Sequence, residues 1–152
     1  MLRMMLFVTV LAFAATPAGK AESLLLCGAE TVFEIDTATA ENGTISKTWV
    51  WDARECHELP DALRGTFKTT DDCKSVDGGA RVLICSSSGG CALVERPAGK
   101  VLWYAQVPNA HSLEFLPRER IVVASSVSEN GNRLVLFDVA RSNQPLGDTP
   151  LP

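Results

Sequence analysis

Three short apolar runs punctuate the chain: Leu24-Leu25-Leu26-Cys27, Val82-Leu83-Ile84-Cys85 and Ile121-Val122-Val123-Ala124. Continuous apolar runs of this length, bounded by turn residues, predict strands buried on both faces rather than amphipathic helices. A turn of small or polar residues follows each run, from Gly28 to Glu30, from Ser86 to Gly90 and from Ser125 to Gly131. A second strand then closes on an acid in all three places: Thr31 to Asp36, Cys91 to Glu95, and Leu134 to Asp138. The unit is a β-hairpin written three times. A further strand follows it at Ile45 to Trp51 and at Lys100 to Ala105, and an earlier one leads in at Lys74 to Val76 and at Ser112 to Leu116.

The spacing identifies the array. Val82 and Ile121 lie 39 positions apart, and Glu95 and Asp138 lie 43 apart, near the period of roughly 40 to 50 residues of a four-stranded propeller blade. Dense turns and β-branched runs exclude helical repeats of similar length. The expected fold class is all-β, with β-propeller-type blades in about three four-stranded antiparallel units. They form an incomplete ring, because propellers typically close with about 4 to 8 blades. The first unit begins at its second strand. The third has no clear last strand, since SNQPLGDTPLP carries prolines and no alternating apolar run. Domain organisation follows as a leader over residues 1–21, a partial propeller over 22–141 and an irregular tail over 142–152. Open blade faces predict self-association, or continuation into a longer propeller.

Between the first two units, Cys27 and Cys85 stand 58 positions apart, so extra residues lie after Trp51, in WDARECHELPDALRGTFKTTDDC. Pro60 followed by Gly65 frames a single helical turn there. Trp51-Asp52 falls after the last strand of its unit, which sets it apart from a WD repeat. Asn42-Gly43-Thr44 reads as a hairpin turn, although it also matches a glycosylation acceptor.

ERPAGKVLWYA, with Glu95, Gly99, Lys100 and Trp103, resembles the tryptophan docking motif of quinoprotein-like β-propellers, in which an acid, a glycine and a tryptophan lock neighbouring blades. Asp36, Gly43 and Trp49 keep it loosely in the first unit, and only Asp138 remains in the third. FKTTDDCKSV, SSSGGCALVER and VPNAHSLEFLP are together similar to an uncharacterised family of secreted bacterial propeller-like proteins. The resemblance covers most of residues 24–140 and implies a propeller fold with no established function. The adjacent-cysteine pair associated with quinone sites of the alcohol dehydrogenase type does not occur, so no cofactor is implied.

The first residues, MLRMMLFVTVLAFAATPAGKAES, carry one early charge, an apolar run from Met4 to Ala15 and a small-residue stretch ending at Ala21. That is the pattern of a secretory signal peptide, and the run is too short to span a bilayer. A secreted or periplasmic product is expected, with no membrane span. The chain past Ala21 holds 12 basic and 18 acidic residues, which gives no electrostatic footprint for nucleic acid.

Export also permits disulfides. The five cysteines include no CxxC pair, so no metal is expected. Cys56 with Cys73 and Cys85 with Cys91 are the candidate bridges, and buried free thiols remain open for Cys27 and Cys85. Among loops entering the innermost strands, a 39-residue offset places His111 opposite Asp72. The candidate ligand-binding residues are therefore Asp71, Asp72, Lys74, Asn109 and His111. Carboxylates beside an amine suit sugar hydroxyls or hard cations, and an imidazole suits proton transfer. Each also has a plain structural role open to it, as a turn cap or a solvated loop residue. Cys56-His57 is a poor nucleophile and base pair, because adjacent residues seldom face each other. Two functions compete: a binding or interaction module for a small molecule, carbohydrate or protein partner, and a carbohydrate-active lyase or hydrolase using His111 and Asp72.

Overall fold

The computed structural model describes residues 23–37, 43–118, 120–128, 131–141 and 143–152. The expected leader over 1–21 and the Asn42 turn position lie outside them. Every sheet is antiparallel, and the fold is all-β with propeller-type blades. The first sheet orders β1 (Ser23–Gly28), β2 (Thr31–Asp36) and β3 (Ser46–Asp52). A second orders β4 (Thr70–Val76), β5 (Arg81–Ser86), β6 (Gly90–Glu95) and β7 (Val101–Gln106). The third orders β8 (Ala110–Leu116), β9 (Ile121–Ser128), β10 (Gly131–Asp138) and β11 (Gly147–Pro150).

The period-2 alternation of a strand sends successive side chains to opposite faces, and in the second sheet both faces are covered. Val82, Ile84, Ala92 and Val94 pack towards the first sheet, with Val32, Trp49 and Trp51. Leu83, Cys85, Cys91 and Leu93 pack the other way, with Trp103, Val122, Ala124, Val135 and Phe137. The continuous apolar run of β5 is thus explained, since each strand of that hairpin serves two cores; in β1 the expectation of burial on both faces is corrected, because Leu24 and Leu26 are exposed.

Tryptophans fill both seams, as the docking resemblance implies. Trp103 meets Phe137 edge to face at 5.2 Å. Trp49 donates from Nε1 to the Pro97 carbonyl at 3.1 Å, with the Arg96 guanidinium 5.1 Å over its ring. The acid of this seam is Glu34, paired with Arg96. Glu95, which the motif suggested, is exposed.

The insertion after Trp51 does form a helical turn, Asp61–Arg64. Ala53, Cys56, Leu59 and Phe67 are buried against Trp49 and Trp51, so the extra residues plug a seam. The tail expectation is corrected. Residues 147–150 make β11, pairing with β10 through Leu134↔Thr149 and Val135↔Asp148. Its flanks are tied by Leu146 N–H to the Leu136 carbonyl at 2.7 Å and Leu151 N–H to the Asn132 carbonyl at 2.7 Å. Pro150 is tolerated because an edge strand has one unpaired side.

Candidate functional site

β4 and β8 are the first strands of consecutive sheets and lie against each other. Each carries an irregularity at the same place. The register of β4 on β5 shifts between Thr70 and Asp72, and that of β8 on β9 shifts between Ala110 and Ser112. A bulge leaves one residue unpaired and re-aims its side chain; here those residues are Asp71 and His111. Thr70 pairs with Ser86 as Ala110 pairs with Ser126, so the strands correspond at an offset of 40. The 39-residue offset is therefore corrected by one. His111 is the counterpart of Asp71, Ser112 of Asp72, and Glu114 of Lys74.

These counterparts touch. His111 Nδ1 lies 3.0 Å from Asp71 Oδ2. Ser112 Oγ donates to Asp72 Oδ2 at 3.2 Å. Lys74 Nζ pairs with Glu114, lies 3.5 Å from Asp72 Oδ2 and donates to Ser112 Oγ at 3.3 Å. The result is a ladder of three polar rungs across two innermost strands. The hydrogen bond to Glu114 raises the Lys74 ammonium above its ordinary value, reinforced by Asp72, so the amine stays charged at neutral pH. His111 is 45% exposed and Glu114 is 67% exposed, whereas Asp71 and Asp72 are 24% and 25% exposed. The ladder thus has a wet rim and a more sheltered pair of carboxylates.

Four of the five expected residues, Asp71, Asp72, Lys74 and His111, come together. Asn109 does not join them. It sits at φ 52°, a left-handed conformation to which asparagine is suited, and its Nδ2 donates to the Val127 carbonyl at 2.8 Å. Its side chain anchors the loop to the end of β9. Ser112 and Glu114 were missed by the sequence reading, although the correct blade offset would have exposed both as counterparts of Asp72 and Lys74.

All five cysteines are free, which corrects both expected bridges. Cys56 is buried and its thiol donates to Glu58 at 3.3 Å, tied locally within the insertion. Cys85 and Cys91 stand directly opposite on β5 and β6; burial pushes Cys85 up to about 12, with the carboxylates of Asp72 and Asp71 adding to it. Among the described residues no group of three or more histidine, cysteine or acidic side chains is arranged to hold a metal, and no helix is long and apolar enough to cross a membrane.

A family model spans this architecture from residue 30 to residue 142, described as "Family of unknown function (DUF6528)". The chain belongs to that family. Its matched segment contains both strands of the ladder and both tryptophan seams. Comparison with curated proteins gives no match. Among solved structures the chain is similar to the β-propeller domain of Cps50 (Swd1) from Myceliophteria thermophila, at 10% identity and a TM-score of 0.48. That likeness covers 70% of this chain and 31% of the other.

Proposed function

We propose that this member of the family is an exported binding module of propeller type, and that its ligand site is the ladder of Asp71, Asp72, Lys74, His111, Ser112 and Glu114. One observation carries the reading: a pair of matching bulges directs Asp71 and His111, from equivalent places in consecutive sheets, onto each other at 3.0 Å. Bulges beside a strand's end re-aim side chains and are common next to functional sites. Three carboxylates, an ammonium and a hydroxyl in one row supply acceptors and donors in the alternation that a polyhydroxylated ligand requires. A small neutral carbohydrate fits this chemistry better than an anion, because the row holds more acids than bases.

Calorimetric titration with a panel of neutral mono- and oligosaccharides tests it. Binding is expected for the wild type and a loss of at least about tenfold for Asp71→Asn, which removes a charged acceptor contributing about 1.5 to 3 kcal/mol. No heat with any sugar, or equal affinity in the variant, overturns the assignment.

A second reading, a propeller lyase or hydrolase, is supported by the same rung. A carboxylate on Nδ1 orients an imidazole and leaves Nε2 as the proton acceptor. Turnover of a polysaccharide lost in His111→Ala, or a thermal shift with Mn²⁺, Ca²⁺ or Zn²⁺ lost in the same variant, would favour it. Unchanged melting with all three ions and no turnover leaves the binding module.

A further inference from the structure

Between the first and second sheets, β1 lies along β4, on the side away from the polar ladder. Cys27 of β1 and Cys73 of β4 are half-buried there, and both pack on the apolar core formed by Val32, Trp49, Val82 and Ile84. Strand alternation turns Cys73 away from its neighbours Asp72 and Lys74 and towards the first sheet. Thr70 N–H donates to the Ala29 carbonyl at 2.9 Å, which seats the end of β1 against the start of β4 and brings the two thiols to the same part of the seam. They come from different sheets and stand 46 positions apart in the chain.

We infer that Cys27 and Cys73 are a disulfide pair, free in this structure, whose oxidation covalently staples the first sheet to the strand that carries the ladder. The step is a thiol–disulfide exchange with a small or protein disulfide as the oxidant. The Cys27 thiolate attacks one sulfur of that donor, forming a mixed disulfide and releasing the first donor thiolate. Cys73 then attacks Cys27 Sγ and releases the second. Two electrons pass to the donor, which leaves as a dithiol or as two thiols, having taken up the two cysteine protons. Burial, reinforced by the Cys27 sulfur, pushes Cys73 up to about 12. Thiolate attack within the finished seam is consequently slow, and the bridge closes fastest while β1 is still settling on β4.

Geometry separates this pair from the other thiols. Cys56 is held by Glu58 within the insertion. Cys85 and Cys91 share the opposite core, between the second and third sheets.

Refolding the full chain in a buffer of oxidised and reduced glutathione tests the inference without reference to export or ligand binding. Thiols are trapped in denaturant and counted by mass. The expected product has three alkylated cysteines and one cross-linked peptide joining Cys27 to Cys73. Its melting temperature lies roughly 10 °C above that of the reduced protein, as a loop of this length implies. Cys27→Ser and Cys73→Ser each abolish the cross-link, whereas Cys56→Ser leaves it in place. Should either serine variant fail to fold, peptide mapping of the oxidised wild type decides alone. Five alkylated cysteines after oxidation, or a cross-link between any other pair, overturns the proposal.

Discussion

Truncating Trp103 to alanine removes the ring that joins the second and third sheets. The side chain is 5% exposed and packs on Phe137 in a core that includes Leu83, Leu93 and Val135. A tryptophan buries roughly 150 to 250 Å², and at about 25 cal/mol per Å² that corresponds to ~4 to 6 kcal/mol. Denatured chains already bury part of this surface, which trims the figure by roughly 10 to 40%. The expected loss is then about 3 to 5 kcal/mol, in line with other aromatic truncations in cores. Urea unfolding followed by far-ultraviolet circular dichroism measures it without relying on the deleted fluorophore. Trp103→Phe makes a smaller cut, should the alanine variant prove too unstable to titrate. A double-mutant cycle with Phe137→Leu isolates the edge-to-face pair, expected to couple by about 0.5 to 1.5 kcal/mol. A loss under about 1.5 kcal/mol for the alanine variant, with unchanged m-value and no coupling, would refute the claim that this ring holds the seam.

Other expectations concern single sites. A Cβ added at Gly90 would stand 2.7 Å from the Phe67 ring and 2.7 Å from Thr66 Oγ1, so Gly90→Ala should cost about 1 to 3 kcal/mol by overpacking; a melting temperature equal to the wild type would contradict that crowding. Glu34 is held below the usual carboxylate range by the Ser23 hydroxyl first, then by Thr48 and Arg96. Its folded-state value is depressed, so its contribution is present above the ordinary glutamate value of 4.5 and is lost as pH falls through the lower folded value. Melting temperatures from pH 7 down to pH 3 should fall less steeply for Glu34→Gln than for the wild type, and identical profiles would count against it. Burial raises both Cys85 and Cys91. Alkylation of these two at pH 7.5 should be far slower in native protein than in denaturant, and equal rates in both states would show the seam to be open.

The three hairpins were legible in the sequence because each opens on four apolar residues in a row with turns at either end, although only the central one is covered on both faces. Trp49 and Trp103 were legible for a related reason, since each occupies the same place in its unit. β11 was missed because Gly147 to Pro150 pairs through backbone groups and through Arg133, whose Nε donates to Asp148 Oδ1 at 2.7 Å; neither leaves an apolar pattern. The side chains that meet across β4 and β8 were legible to within one residue. Offset 39 comes from matching the first apolar residues of the two runs, Val82 and Ile121, whereas strand pairing makes the polar Arg81 the counterpart of Ile121, and Ser112 and Glu114 stayed hidden behind that single step. Cys27 and Cys73 lie in different units, and sequence spacing carries no information about which edge strands meet.

The central hairpin of β5 and β6 belongs to both cores, and this sets the order in which the backbone becomes accessible to exchange. If the first sheet lifts away, Leu83, Cys85, Cys91 and Leu93 remain covered; if the third lifts away, Val82, Ile84, Ala92 and Val94 do. Amide hydrogens of β5 and β6 should therefore exchange with solvent deuterium only through the rarest, fully cooperative openings. Those of β1 to β3, and of β9 to β11, are released by smaller excursions of one flank. A protection gradient falling outwards from the middle of the array is the kinetic counterpart of a strand pair with no outer face.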